Sequence, residues 1–140
     1  MTKVDFHFNA PDKFGYACRL VRKIYRAGHE AVVWSDDEKA LAEFDQRLWS
    51  FSGPDFIPHV MHSDPNAAAT PVVLATGSLE SHHHGVIVNL GVEPPPIFGR
   101  FERLIEVVTR DETDRQAGRE RWRFYRDRGY DMTRHDLSAS

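Results

Sequence analysis

Five side chains near the C-terminal end have the types and spacing to do recognition chemistry. On a helix turning about 100° per residue, Arg115, Arg119, Trp122, Arg123 and Arg126 share one side, with Tyr125 at its border. Ala117, Arg121, Phe124 and Arg128 fall on the other side. The first face is a flat aromatic surrounded by guanidinium groups. A guanidinium grips a carboxylate with two parallel N–H donors and stacks on an indole, so this face suits a ligand with both carboxylates and an apolar ring. Two other readings stay open on these residues alone: a surface for the phosphates and bases of single-stranded nucleic acid, and a solvated face whose indole packs inward under arginine stems.

Charge bears on that choice. The chain of 140 residues carries 18 Lys and Arg against 21 Asp and Glu, a net charge of −3. Fourteen of the basic residues are arginine, and six of those lie between Arg115 and Arg128 with only Glu120 and Asp127 among them. That local balance of +4 leaves −7 for the rest of the chain. A basic stripe on an acidic body points to one anionic partner at one place, and argues against coating nucleic acid by bulk charge.

Other candidate chemistry is weaker. Neither G-x-G-x-x-G nor G-x-x-x-x-G-K-[ST] occurs, and the first strand-to-helix turn, Asn9-Ala10-Pro11-Asp12, lacks glycine and carries an acid where a phosphate would sit. His82, His83 and His84 point in divergent directions if extended, so they read as a solvated loop rather than a metal site. His59 and His62 are separated by three positions, but Pro58 argues against a helix to align them. Cys18, the single cysteine, falls on an apolar helix face and reads as a small core residue. No nucleophile elbow or catalytic constellation stands out, and no cofactor, metal or catalytic residue is expected. The N-terminus does not read as a signal peptide and no apolar run is long enough to span a bilayer, so the expected address is the cytoplasm.

The elements that must position the arginine face follow from periodicity. Val4, Phe6 and Phe8 alternate with polar residues as a strand, and Phe14, Ala17, Cys18, Val21, Ile24 and Tyr25 recur as an amphipathic helix closed by Gly28. Ala31–Trp34 reads as a doubly buried strand. Ser35-Asp36-Asp37-Glu38 has the spacing of a capping box for a second helix through Leu41, Phe44, Leu48 and Trp49. Phe56–Val60 is extended, held to a sheet edge by Pro58. Two more strands follow at 72–75 and 86–90. Phe98, Phe101, Leu104, Ile105 and Val108 predict a third helix, and the arginine-rich helix runs to about Gly129. The fold class is α/β: one Rossmann-like, three-layer domain over 1–136 with a mostly parallel sheet and no phosphate-binding loop, then a frayed tail at 137–140.

With these blocks in place a resemblance emerges. Arg119-Glu-Arg-Trp122-Arg123-Phe-Tyr125-Arg126-Asp-Arg-Gly129-Tyr130 resembles the terminal R-E-R-[YW]-[KR]-x-Y-R-x-x-G-[FY] motif of the chi subunit of bacterial DNA polymerase III. Asp37-Glu38-Lys39, Leu48-Trp49 and Phe56-Ile57-Pro58-His59 look like that family's D-E-x…L-W…F-[VI]-P-H pattern, and Phe101…Glu106-Val107-Val108 stands where the family has F…E-V-V. The resemblance implies a non-catalytic accessory subunit of the holoenzyme. It would hold the acidic C-terminal tail of single-stranded-DNA-binding protein, which ends in Pro-Phe, and pair with the psi subunit or another clamp-loader component. DNA is then reached through partners. The implied tail site comprises Arg119, Trp122, Arg123 and Tyr125, with Arg115 and Arg126 steering acidic residues and Trp49 as a neighbour; the psi-facing surface falls on Phe56 and Pro58. Trp122 and Arg123 replace the Tyr and Lys of many relatives and keep their chemistry. The competing expectation is a module that binds single-stranded nucleic acid directly through the same helix.

Overall fold

The computed structural model describes residues 1–54, 56–78 and 81–139, the side chains at 52 and 139 excepted. The first alternating segment is β1 (Lys3–Ala10), and the apolar steps after it form α1 (Lys13–Arg26). Gly28 follows with φ of +83°, a left-handed turn in which a side chain would be strained. β2 (Ala31–Trp34), α2 (Glu38–Ser52), β3 (His59–Met61), β4 (Val72–Ala75), β5 (Val86–Asn89), β6 (Arg103–Thr109), α3 (Glu112–Asp127) and β7 (Asp131–Asp136) complete the order.

All seven strands are parallel, arranged β3-β4-β2-β5-β6-β1-β7. α1 and α2 cover one face through Ala17, Cys18, Val21, Leu41, Phe44 and Leu48, packed on Val33, Leu74, Val88 and Ile105. α3 and a 3-10 turn at Phe98–Arg100 cover the other, through Tyr125, Trp122 and Phe98 against Val4, Phe6, Val32, Ile87 and Leu104. This is a three-layer, Rossmann-like α/β sandwich. Its central strands are apolar throughout because both of their faces are covered. Cys18 is buried among them, and that burial pushes its thiol up to about 11.

The structure departs from expectation at five places. The segment expected as a third helix is the strand β6, lying between β5 and β1. Its helix-like spacing arises because alternate residues go to opposite buried faces, Ile105 and Val107 toward α1 and α2, Leu104 and Val108 toward α3. The cap of α2 is Asp37, whose carboxylate accepts the Lys39 N–H at 2.9 Å; Ser35 instead accepts the Asp37 N–H at 3.1 Å. β7 has no apolar run because it is an edge strand with mostly exposed side chains. Leu137–Ala139, expected to fray, forms a 3-10 turn braced by Asp136, with Leu137 against the α1/α2 core; Ser140 lies outside the described residues. His83 is not solvated. It is buried, with Nε2 2.6 Å from the Thr70 carbonyl and Nδ1 3.1 Å from Glu30.

The turn from β1 to α1, where a related fold would bind phosphate, holds an acid. Asp12 makes a two-pronged pair with Arg47, at 2.5 and 3.2 Å, and that guanidinium keeps its carboxyl below the usual range. A Cβ on Gly15 would lie 2.5 Å from the Asp12 carboxylate, so a side chain there would make that carboxylate shift.

His7 of β1 gives the fold a measurable acid response. Its Nδ1 is 2.5 Å from the Tyr16 hydroxyl and its ring centroid 4.7 Å from that of His135. Burial, then the neighbouring His135, with Arg103 and Lys23 further off, lowers its pKa to about 4, against the opposing pull of Asp5. The folded state thus favours the neutral ring, so its contribution is complete above about 6.5 and drains away as pH falls toward 4. Because the ring is partly open to water, the expected loss is about 1 kcal/mol. Urea unfolding at pH 7 and pH 4.5 should show it, and His7→Gln should flatten the difference; an unchanged pH dependence in that variant contradicts the assignment.

Candidate functional site

α3 starts where Asp111 accepts the Asp114 N–H at 3.0 Å, while Asp114 takes the Thr109 N–H and Lys13 Nζ, each at 2.7 Å. Burial opposes the charge of Asp114, but Lys13 and Thr109 outweigh it and hold the carboxyl below its ordinary range. These bonds pin the first turn to the end of β6 and to α1. One turn on, Gly118 lies directly over Val108, and a Cβ there would stand 3.0 Å from the valine Cγ2. The missing side chain lets the helix settle close on the sheet.

The buried side of α3 is polar. Glu106 of β6 is fully buried and accepts from Arg121 Nε at 2.8 Å, from the Tyr125 hydroxyl at 2.6 Å and from Asn89 Nδ2 at 3.0 Å. Arg121 Nη1 continues to the Val92 carbonyl at 3.0 Å. Burial works against the arginine's charge, yet Glu106 more than compensates and raises its pKa; burial and then the same carboxylate push the Tyr125 hydroxyl far up. The sequence reading put Arg121 on the other side of the helix and counted Tyr125 among the residues of the implied tail site. Arg121 does lie on that other side, which is buried; Tyr125 lies there with it, fully buried, and lines no part of the exposed face. The available signal was Glu106 itself, an acid inside the apolar run Leu104–Val108.

The opposite side of α3 borders a cavity of about 390 Å³ between the helix and the β1–β7 edge. Arg115, Arg119, Trp122, Arg123 and Arg126 all line it from α3, joined by Arg134 of β7 and by Phe6 and Phe8 of β1. Trp122 is half-buried and meets Phe6 edge-on at 5.1 Å, so it forms the floor. Arg119 makes a loose exposed pair with Glu112 at 3.5 Å and Arg126 one with Asp127 at 3.2 Å. Exposed pairs of this kind yield readily to a better anion. Asn9, at φ +63° where the strand ends, ties the rim to Asp136 at 2.9 Å.

Trp49 is elsewhere. It sits on α2 with its ring 5.1 Å from Phe56 and 4.8 Å from His59, near the β3 edge and far across the sheet from the groove. Trp49 is 49% and Phe56 52% exposed, whereas Ile57 is buried and Pro58 half-buried. His59 is held beneath, Nδ1 2.7 Å from the Ile57 carbonyl and Nε2 3.0 Å from Asp45 outside hydrogen-bond alignment. Trp49 and Phe56 thus make one exposed aromatic patch, with half-buried Pro58 two residues further along the chain. Among the described residues no group of three or more His, Cys, Asp or Glu is placed to hold a metal ion, and no helix is long and apolar enough to cross a membrane.

Fold and groove together define a Rossmann-like α/β protein with an aromatic-floored groove walled by arginine. The chain belongs to the DNA polymerase III chi subunit family (HolC), whose sequence profile matches residues 1–133. It is 37% identical to the DNA polymerase III subunit chi of Pseudomonas aeruginosa over 98% of both chains. It is also 25% identical to the chi subunit of Haemophilus influenzae over 86% of this chain and 85% of that one, and 22% identical to that of Escherichia coli over 82% and 79%. The protein is therefore an accessory subunit of DNA polymerase III, a holoenzyme component that serves DNA replication.

Proposed function

We propose that the α3 groove holds the acidic C-terminal tail of single-stranded-DNA-binding protein, and that the Trp49–Phe56–Pro58 patch docks on psi or another clamp-loader component. The observation that carries the first part is five arginines around one indole floor on an otherwise acidic chain. The tail's terminal ring covers Trp122, its carboxylate meets Arg119 or Arg123, and its aspartates are steered by Arg115 and Arg126. The second part rests on two large exposed aromatics in contact at the β3 edge. Because the groove lies beside β7 and the patch beside β3, at opposite sheet edges, both partners fit at once. The subunit then works as a non-catalytic tether in the bacterial cytoplasm, meeting DNA only through its partners.

Fluorescence anisotropy with a labelled tail peptide tests the groove. Arg119→Ala and Arg123→Ala should each weaken binding by about 1.5–3 kcal/mol, the worth of a charge-assisted hydrogen bond. Unchanged affinity in both folded variants removes the assignment. Tight binding of a bare oligonucleotide, falling by about 0.7 log units per decade of salt for each phosphate contact, would favour direct nucleic-acid binding instead.

A further inference from the structure

Arg134 belongs to none of the sequence motifs above, because β7 itself is not visible in the hydropathy pattern. It stands in register with Phe6 on the parallel neighbour β1. Alternation along β7 sends His135 toward His7 on the α1 side, and sends Arg134 toward Phe8 and Trp122 on the α3 side. Its guanidinium carbon lies 5.2 Å from the Phe8 ring centroid and 5.9 Å from that of Trp122. Two ring faces hold the group over the groove floor without cancelling its charge. Asp136, the acid nearest along the strand, is already engaged by Asn9 and Ser138. Every other cation lining the groove projects from α3, so Arg134 alone supplies positive charge from the facing wall.

We propose that Arg134 is a specificity-determining residue of the groove, reading a second, internal carboxylate of an acidic C-terminal peptide. The proposal rests on the tail-binding reading and extends it. A ligand with only a terminal carboxylate is satisfied by the α3 arginines. Its aromatic ring, once seated on Trp122, would cover Arg134 and strip water from an uncompensated charge. An aspartate upstream of the ring removes that cost and adds a charge-assisted bond on the second wall. The groove therefore selects acid-then-aromatic peptides over peptides that merely end in an aromatic residue.

The test uses the full chain and two short labelled peptides, both ending in Pro-Phe with a free carboxylate, one carrying upstream Asp and the other Asn at those positions. Arg134→Gln should weaken the Asp peptide about tenfold and bind the Asn peptide as well as the parent or better. Arg134→Lys, which keeps the charge, should fall between Gln and the parent on the Asp peptide. Thermal melting and near-UV circular dichroism establish that the fold and its aromatic packing are intact. Equal losses on both peptides would mean that Arg134 acts only by packing on Trp122, and would overturn the proposal, as would no loss on either. Failure of the unchanged chain to bind the Asp peptide removes the tail-binding reading and this proposal with it. Normal binding by the unchanged chain with an indifferent Arg134→Gln removes this proposal alone.

Discussion

Arg121→Ala is expected to lower the stability of the fold by about 3–5 kcal/mol, because it leaves the buried Glu106 charge without its cation. Glu106 accepts from three side chains, one on β5 and two on α3, and Arg121 is the only one of the three that carries charge. The loss should exceed that of Tyr125→Phe, which removes one neutral donor worth about 1–2 kcal/mol. Pairing Arg121→Met with Glu106→Gln should cost clearly less than the sum of the single changes, since neither buried charge then remains alone. Urea unfolding of Arg121→Ala, Tyr125→Phe, the two single changes and their pair measures all of this. A loss below about 1 kcal/mol for Arg121→Ala would show that water reaches Glu106 and that the network does not anchor α3.

That network also explains how the groove keeps its shape. α3 presents guanidinium groups on one side and buries an arginine and a tyrosine on the other, so its rotation about its own axis must be fixed. Hydrophobic burial is non-directional and would tolerate a slip of the helix; hydrogen bonds from Arg121 and Tyr125 to one carboxylate do not. Arg121 and Tyr125 lie one turn apart, and Trp122 and Arg126 follow each by a single residue. Anchoring the first pair therefore sets where the second pair points.

How much of this was legible follows from the same physics. Strands buried on both faces, such as β2 and β4, announce themselves as short apolar runs, and α1 by its three- and four-residue steps. β6 did not, since two buried faces erase the period-two signal and leave spacings that mimic a helix. β7 was silent because an edge strand needs few apolar side chains. At the groove, the shared face of Arg115, Arg119, Trp122, Arg123 and Arg126 could be read from helical angles alone. Tyr125 could not, because 100° per residue places it on a boundary and only Glu106, from a distant strand, decides which way it turns. Arg134 depends on a crossover, which sets β7 beside β1, that no local pattern encodes.

The patch at the β3 edge yields the last expected result: Phe56→Ala should leave thermal stability nearly unchanged and remove partner capture. A fully buried phenylalanine costs about 3–5 kcal/mol when truncated to alanine. Phe56 is 52% exposed and gives its inner face mainly to Trp49, so its truncation should cost less than about 1 kcal/mol. At an interface the same ring behaves differently. Aromatic anchors that a partner desolvates lose about 2–4 kcal/mol on truncation, enough to cut affinity about thirtyfold or more. Trp49→Ala should reproduce the binding defect, while Arg123→Ala on the opposite edge should spare it. Capture of purified psi or clamp-loader complex, read beside tail-peptide anisotropy on the same preparations, separates the two surfaces. Should Phe56→Ala melt several degrees lower, or bind the clamp-loader partner as the parent does, the patch is not the docking site; should it lose the tail peptide as well, the two surfaces are not independent and the tether described above does not hold.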